Sequence, residues 1–189
     1  MPATALTPAG RRILETATDL FYREGIHAVG VEAIAAAAGV TKKTLYDRFG
    51  SKDRLVCEYL RARDARWRAW LTEDVTAHAH TARGRLLRTF DALDEWMREI
   101  GPRGCAFVNA LAELPDPDHP GRAVIAAQKR WLVDYLTGLA EDTDAGQPRR
   151  LAEQLALLHE GATVGYATGA VEDPIGAAKR AAAVLIGQA

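Results

Sequence analysis

Between Thr41 and Lys52 the chain concentrates side chains that donate hydrogen bonds: Thr41, Lys42, Lys43, Thr44, Tyr46, Arg48 and Lys52. Donors at that density match a surface built of acceptors, and the phosphates and base edges of duplex DNA form such a surface. Lysine can donate to guanine O6 and N7, and threonine offers a hydroxyl or a methyl contact to thymine. The order of residues assigns Thr41, Lys42, Lys43 and Thr44 to base edges or flanking phosphates. Tyr46, Arg48 and Lys52 are assigned to phosphates, where they would fix register. Asp47 is the acid within the run, expected to face away from the DNA backbone or to hold Arg48.

Other chemistries find less support. His78 and His80 lie two apart near an expected loop, so they would not share a helix face, and they are not assigned to a metal. His159 and Glu160 are adjacent and cannot form a same-face dyad. Cys105 follows Gly104 at an expected helix start, where a thiol is either small core filling or a redox-sensitive group. Two cysteines do not suggest a disulfide framework. No phosphate-binding glycine loop, nucleophile elbow or zinc-protease motif occurs. The sequence therefore assigns no catalytic residue, no metal and no cofactor, and the chain is not expected to be an enzyme.

The donor run needs a rigid support, and its flanks supply one. Val31, Ile34, Ala35 and Ala38 recur at helical spacing, and Gly39 can end that helix in a left-handed conformation. Thr41 then caps a second helix whose Leu45 and Phe49 point inward. A short helix, a glycine turn and a donor-bearing second helix make a helix-turn-helix. Upstream, Thr7-Pro8 opens a helix with Ile13, Leu14, Ala17, Leu20 and Phe21 inward, ending at Gly25 and completing a three-helix head. Ser51 caps a longer connecting helix that carries Leu55, Val56, Tyr59 and Leu60, then Trp67, Trp70 and Leu71.

The segment from Gly25 to Leu55 resembles the DNA-binding signature of the tetracycline-repressor-like (TetR) family of transcriptional regulators. The matching positions are Gly25, Ile34-Ala35, Ala38-Gly39-Val40, Thr44-Leu45-Tyr46, Phe49, Ser51-Lys52 and Leu55. Gly30 stands where many members carry serine or threonine, and Asp47-Arg48 replaces the more usual aromatic or histidine residues. The resemblance is strong over the first third of the chain and rests elsewhere on length and helical layout. It implies an all-α fold of about nine helices. Residues 1–50 would form the helix-turn-helix DNA-binding domain, and residues 51–189 an effector-binding and dimerisation bundle.

Periodicity beyond the connecting helix predicts helices over 82–100, 104–114, from Pro120, and over about 149–169 and 174–187, with no alternating β-branched runs. Trp67, Trp70, Phe90, Trp96, Met97, Phe107, Trp131, Tyr135 and Tyr166 supply apolar surface for a ligand, with Asn109, His159 and Thr163 as polar contacts. The same residues could equally be plain core, which periodicity does not separate from a pocket wall. In the penultimate helix, Leu151, Leu155, Leu158 and Ala162 form an apolar stripe, and Gly161, Gly165 and Gly169 a strip without side chains. With Ala178, Ala182 and Leu185 of the last helix they are the expected dimer interface. The family resemblance implies that these two helices pair with their copies, the alternative being packing within one chain.

Composition is that of an ordinary soluble globular protein, 48% apolar and 26% charged. The net charge of −1 divides unevenly. Residues 1–66 hold eleven Lys/Arg against eight Asp/Glu, giving +3, and the remainder thirteen against seventeen, giving −4. Basic charge thus leans toward the donor run. No apolar run is long enough to span a membrane and the first residues lack an apolar signal core, so a cytoplasmic protein with no membrane partner is expected. The reading is a homodimeric regulator, most simply a repressor, that binds double-stranded palindromic operator DNA and is released by an unidentified small-molecule effector. The alternative is an all-helical small-molecule-binding protein or enzyme whose head binds no operator.

Overall fold

The structure, a computed structural model, describes residues 6–100 and 103–188. Nine α-helices and no strand occur among the described residues: α1 Pro8–Glu24, α2 Val31–Ala37, α3 Lys42–Phe49, α4 Lys52–His78, α5 Ala82–Ile100, α6 Ala106–Glu113, α7 Pro120–Glu141, α8 Pro148–Thr168 and α9 Pro174–Gln188. The helix starts follow local chemistry. Thr7 Oγ1 accepts from Gly10 N at 3.2 Å ahead of Pro8, which loses no helical hydrogen bond at that position. Thr41 Oγ1 accepts from Thr44 N at 3.1 Å, and Ser51 Oγ from Arg54 N at 3.1 Å. Gly30 before α2 offers no side-chain cap, as its identity requires.

The chain packs as two compact units, Met1–Asp64 with Ala106–Ala126 and Ala65–Cys105 with Ala127–Ala189.

In the first unit Ile13, Ala17, Phe21, Ile34, Leu45, Leu55, Val56, Tyr59 and Leu60 are buried, and Phe21 and Tyr59 stack obliquely with centroids 5.7 Å apart. Leu14 and Leu20 of the expected inner face of α1 are only half-buried, while Tyr22 is buried and lies under the Arg63 guanidinium at 4.2 Å. Residues of α6, Leu114 just after it and the start of α7 add Phe107, Ala110, Leu114 and Ile125 to the buried set.

In the second unit one apolar core gathers Leu71, Val75, Leu86, Phe90, Leu93, Leu132, Leu136, Leu151, Leu155, Ile175 and Ala182. Each fully buried leucine or phenylalanine contributes about 1.5–3 kcal/mol. Ion pairs link the helices around this core. Arg88 of α5 grips the buried Asp74 of α4 with two hydrogen bonds, at 2.7 and 2.6 Å, and these hold the guanidinium pKa above its ordinary value. Lys179 of α9 pairs with both carboxylate oxygens of Asp91, at 2.6 and 2.7 Å.

Candidate nucleic-acid interface

Helix α3 has one buried side and one open side. Leu45 and Phe49, four residues apart, are its buried positions and anchor it to the first unit. Thr41, Lys42, Lys43, Tyr46 and Arg48 are exposed, and Thr44 and Lys52 half-buried. Tyr46 is 39% exposed, so its ring is not core filling. The turn before α3 is short because Gly39 sits at φ +64 with open space around the position a Cβ would occupy. That conformation, costly for residues with side chains, lets α2 stop and α3 start within four residues.

The donors are already partly engaged. The hydroxyls of Thr41 and Thr44 lie 2.9 Å apart, so the capping threonine is linked to its neighbour on the open face. Lys42 Nζ pairs with Glu32 of α2 and lies 5.9 Å from the Tyr46 ring centroid. The Lys42 hydrogen bond lowers the carboxyl pKa of Glu32, and the same bond raises that of Lys42. Both side chains are exposed, so water screens the pair. Lys43 Nζ pairs with Asp47 at 2.7 Å. Asp47 therefore holds Lys43, one turn away, where the sequence left it either facing away from the DNA backbone or holding Arg48. Lys52 packs its ammonium 6.0 Å from the Phe21 ring centroid and borders a cavity of about 300 Å³, whose wall also includes His27, Asp53, Glu113 and His119.

Two contacts behind this face have no signal in the sequence. Glu113, at the end of α6, accepts the backbone N–H of His27 at 2.7 Å. His119 accepts Gly121 N at Nδ1, 3.0 Å, which leaves Nε2 to donate toward Asp53, 3.4 Å away. Both link residues far apart in the chain, so no local pattern announces them. The left-handed φ of +98 at Gly25 is the nearest clue, since it marks a turn that needs holding.

Of the twelve residues expected to line an effector site, Phe107 and Asn109 belong to the first unit and the other ten to the second. Trp67, Phe90, Trp96 and Met97 are buried, and Trp70, Trp131, Tyr135 and Tyr166 partly buried around the same core. Trp67 and Trp96 meet edge-on at 5.2 Å, while Trp131 and Tyr135 stack at 5.2 Å. His159 is 2% exposed, its ring centroid 4.2 Å from that of Phe90. Burial, seconded by the charge of Lys129, pushes its pKa down to about 3, so the imidazole is neutral. Thr89 donates its hydroxyl to Leu86 O at 2.7 Å, so the 2.9 Å contact leaves His159 Nε2 as the donor to Thr89 Oγ1. Thr163 turns its hydroxyl back onto His159 O at 2.8 Å. Gln128, also buried, has an Oε1 without a partner.

The residues of the expected dimer stripe differ in burial. Leu151, Leu155, Ala162, Ala178 and Ala182 are buried within the single chain, and Leu158 and Leu185 are half-buried. The glycines do not act as one strip either. Gly161 faces open space, Gly165 lies against Pro174 where a Cβ would come within 2.9 Å, and Gly169 ends α8 at φ +64. The open apolar positions on these helices are Leu157, 73% exposed, Val164 and Val184. Among the described residues no group of three or more histidine, cysteine or acidic side chains could hold a metal, and no helix is long and apolar enough to cross a membrane.

Comparison with known proteins agrees with this geometry. Residues 13–59 match the model of bacterial regulatory proteins of the tetR family. The chain is 40% identical over 149 residues to the HTH-type transcriptional repressor KstR2 of Mycolicibacterium smegmatis, covering 74% of this chain and 70% of that one. It is 26% identical over 149 residues to the HTH-type transcriptional regulator YjdC of Escherichia coli, covering 79% and 78%. Its fold overlays that of SCO4454, a TetR-family transcriptional regulator from Streptomyces coelicolor, with a TM-score of 0.82 and 34% identity over 95% of this chain and 93% of that one. An exposed donor face on the second helix of a helix-turn-helix, carried on an all-helical chain with these relatives, makes this protein a member of the TetR family of DNA-binding transcriptional regulators.

Proposed function

We propose that the protein is a repressor that binds a palindromic operator as a homodimer in the cytoplasm and is released by a small-molecule effector. Residues 1–50 read the DNA, and residues 51–189 carry dimerisation and effector binding. The observation that carries the reading is the open face of α3, where Thr41, Lys42, Lys43, Tyr46 and Arg48 are exposed over buried Leu45 and Phe49. Thr41 to Thr44 meet base edges or flanking phosphates, and Tyr46, Arg48 and Lys52 meet phosphates. The naming of KstR2 as a repressor supports the sign of the regulation.

One short helix reads few base pairs, so a two-fold pair of heads about 34–36 Å apart, or further, suits a palindromic site. The outward face of α8 and α9, with Leu157, Gly161, Val164 and Val184, is the surface offered to the second copy. The effector site is drawn within the second unit, among Trp67, Trp70, Phe90, Trp96, Met97, Trp131, Tyr135, His159, Thr163 and Tyr166. The unpartnered acceptor of Gln128 favours an effector bearing a hydrogen-bond donor. Release requires an effector that binds one spacing of the heads better than the other.

A salt titration of binding to the DNA immediately upstream of the protein's own gene, against scrambled DNA, tests the reading. Tight, palindrome-dependent binding with a steep salt slope is expected. Equal and weak binding to both DNAs would count against it.

A further inference from the structure

Two carboxylates of the first unit hold lysines of α3, and they hold them differently. Asp47 and Lys43 share one helix, one turn apart. Glu32 belongs to α2, so its pair with Lys42 Nζ crosses the turn between the two helices. The Glu32 carboxylate also has an anchor of its own. Gly30 caps α2 without a side chain, and Glu32 stands in the first turn, where the helix dipole favours an acid. Its Oε2 lies over Gly30, 3.5 Å from where a Cβ would stand, while Oε1 faces Lys42. The carboxyl pKa is lowered first by the Lys42 bond and next by the bond from its own backbone N–H, as a side chain folded back onto the start of α2 requires. Across from Glu32, the Lys42 ammonium lies 5.9 Å from the Tyr46 ring centroid. Lys42 is thus held from two helices, yet its side chain is 51% exposed and that of Glu32 67%, so both are open to DNA.

We propose that Glu32 is a specificity-determining residue: by holding Lys42 it makes that lysine a reader of guanine edges and bars it from phosphates. A lysine ammonium has three N–H donors, and Glu32 takes one of them. The other two suit guanine O6 and N7, neutral acceptors that leave the ion pair intact. A phosphate on the same ammonium would bring a second anion within a few ångströms of the Glu32 carboxylate, where like charges repel. Moving Lys42 wholly onto a phosphate would exchange one anion for another and leave Glu32 unpaired beside the DNA. Both routes penalise the contact that every sequence offers and spare the contact that only some sequences offer, which is how a repulsive element creates specificity. The guanine half of this assignment rests on the operator reading above; the exclusion of phosphate does not.

The test uses full-length protein and two duplexes: one that the wild type enriches from a random-sequence pool, and a scrambled version of it. Affinity for each is measured across a salt series. Glu32→Gln keeps the shape and loses the charge. It is expected to lower the ratio of selected to scrambled affinity about fivefold. On the scrambled duplex its slope of log affinity against log salt should steepen by about one, as Lys42 gains a phosphate. In a Lys42→Ala background the same substitution should move neither the ratio nor that slope, because the carboxylate acts through the lysine. Replacing guanines of the selected duplex one at a time by 7-deazaguanine, which lacks N7, should weaken wild-type binding about tenfold at one position per half-site and leave Lys42→Ala indifferent there. An unchanged ratio in Glu32→Gln would overturn the proposal, as would a change that persists without Lys42. So would a selected duplex in which no guanine N7 matters to the wild type alone. If the wild type enriches no duplex, the regulator reading falls, and the slopes on scrambled DNA decide whether Glu32 keeps Lys42 from phosphates.

Discussion

The carboxylate of Glu113 accepts the backbone N–H of His27 at 2.7 Å, across 86 residues of sequence, and lies within 3.2 Å of where a Cβ on Gly25 would stand. One acidic side chain from the end of α6 thereby holds the turn between α1 and α2. Glu113→Ala should lower stability by about 1 kcal/mol, since the bond is charge-assisted but partly open to water. Gly25→Ala should cost about 1–3 kcal/mol, from the strained φ as well as the contact. Urea unfolding followed by circular dichroism measures both, and a Glu113→Ala midpoint equal to wild type would show that the turn holds itself.

Thr41 is both a helix cap and an exposed donor, and two substitutions separate the roles. Thr41→Ala should cost about 1 kcal/mol through loss of the hydrogen bond to Thr44 N. Thr41→Ser keeps the hydroxyl and should retain that stability. If Thr41→Ser nevertheless shifts base preference in a binding-site selection, the methyl group touches DNA.

Lys43 is held by Asp47 and must be shared with phosphate if it touches DNA. Lys43→Ala should flatten the slope of log affinity against log salt by about one. Asp47→Asn releases the lysine and removes a negative charge, so it should tighten binding. An unchanged salt slope in Lys43→Ala would remove this residue from the interface.

The buried, neutral His159 makes stability depend on pH. Its folded value of about 3 lies below the ordinary 6.5, so below that value the unfolded chain binds a proton that the native chain refuses. The stabilisation is fully present above about pH 6.5. It is lost progressively as pH falls toward 3, at up to about 1.4 kcal/mol per pH unit. His159→Phe should flatten the fall in unfolding midpoint between neutral pH and pH 5, and an identical pH profile would assign that fall to other groups.

The outward apolar face of α8 and α9 predicts a dimer that charge should break. Leu157→Arg and Val164→Glu lie at exposed positions, so the chain should stay folded while sedimentation shifts from dimer to monomer. Leu155→Arg, at a buried position, should instead unfold the second unit. A Leu157→Arg, Val164→Glu double variant that remains dimeric would place the interface elsewhere.

What the sequence determined by itself is local. Thr7-Pro8, Thr41 and Ser51 announce helix starts because capping is decided within three residues, and Gly39 announces its turn because few other residues tolerate that φ. The exposed donors of α3 were legible for the same reason: Leu45 and Phe49, four apart, settle which side of a two-turn helix is buried. Tertiary structure decided what depends on a partner brought from a distance. Leu155 and Leu157 look alike in sequence, yet one is buried and the other 73% exposed, because helix α8 has apolar residues on both sides and only packing chooses between them. Lys42 with Glu32, Glu113 with His27 and Lys129 with Cys105 are pairs set by how helices lie against one another. Side-chain spacing along a helix reports the face a residue occupies, and what stands opposite that face is settled only when the chain folds.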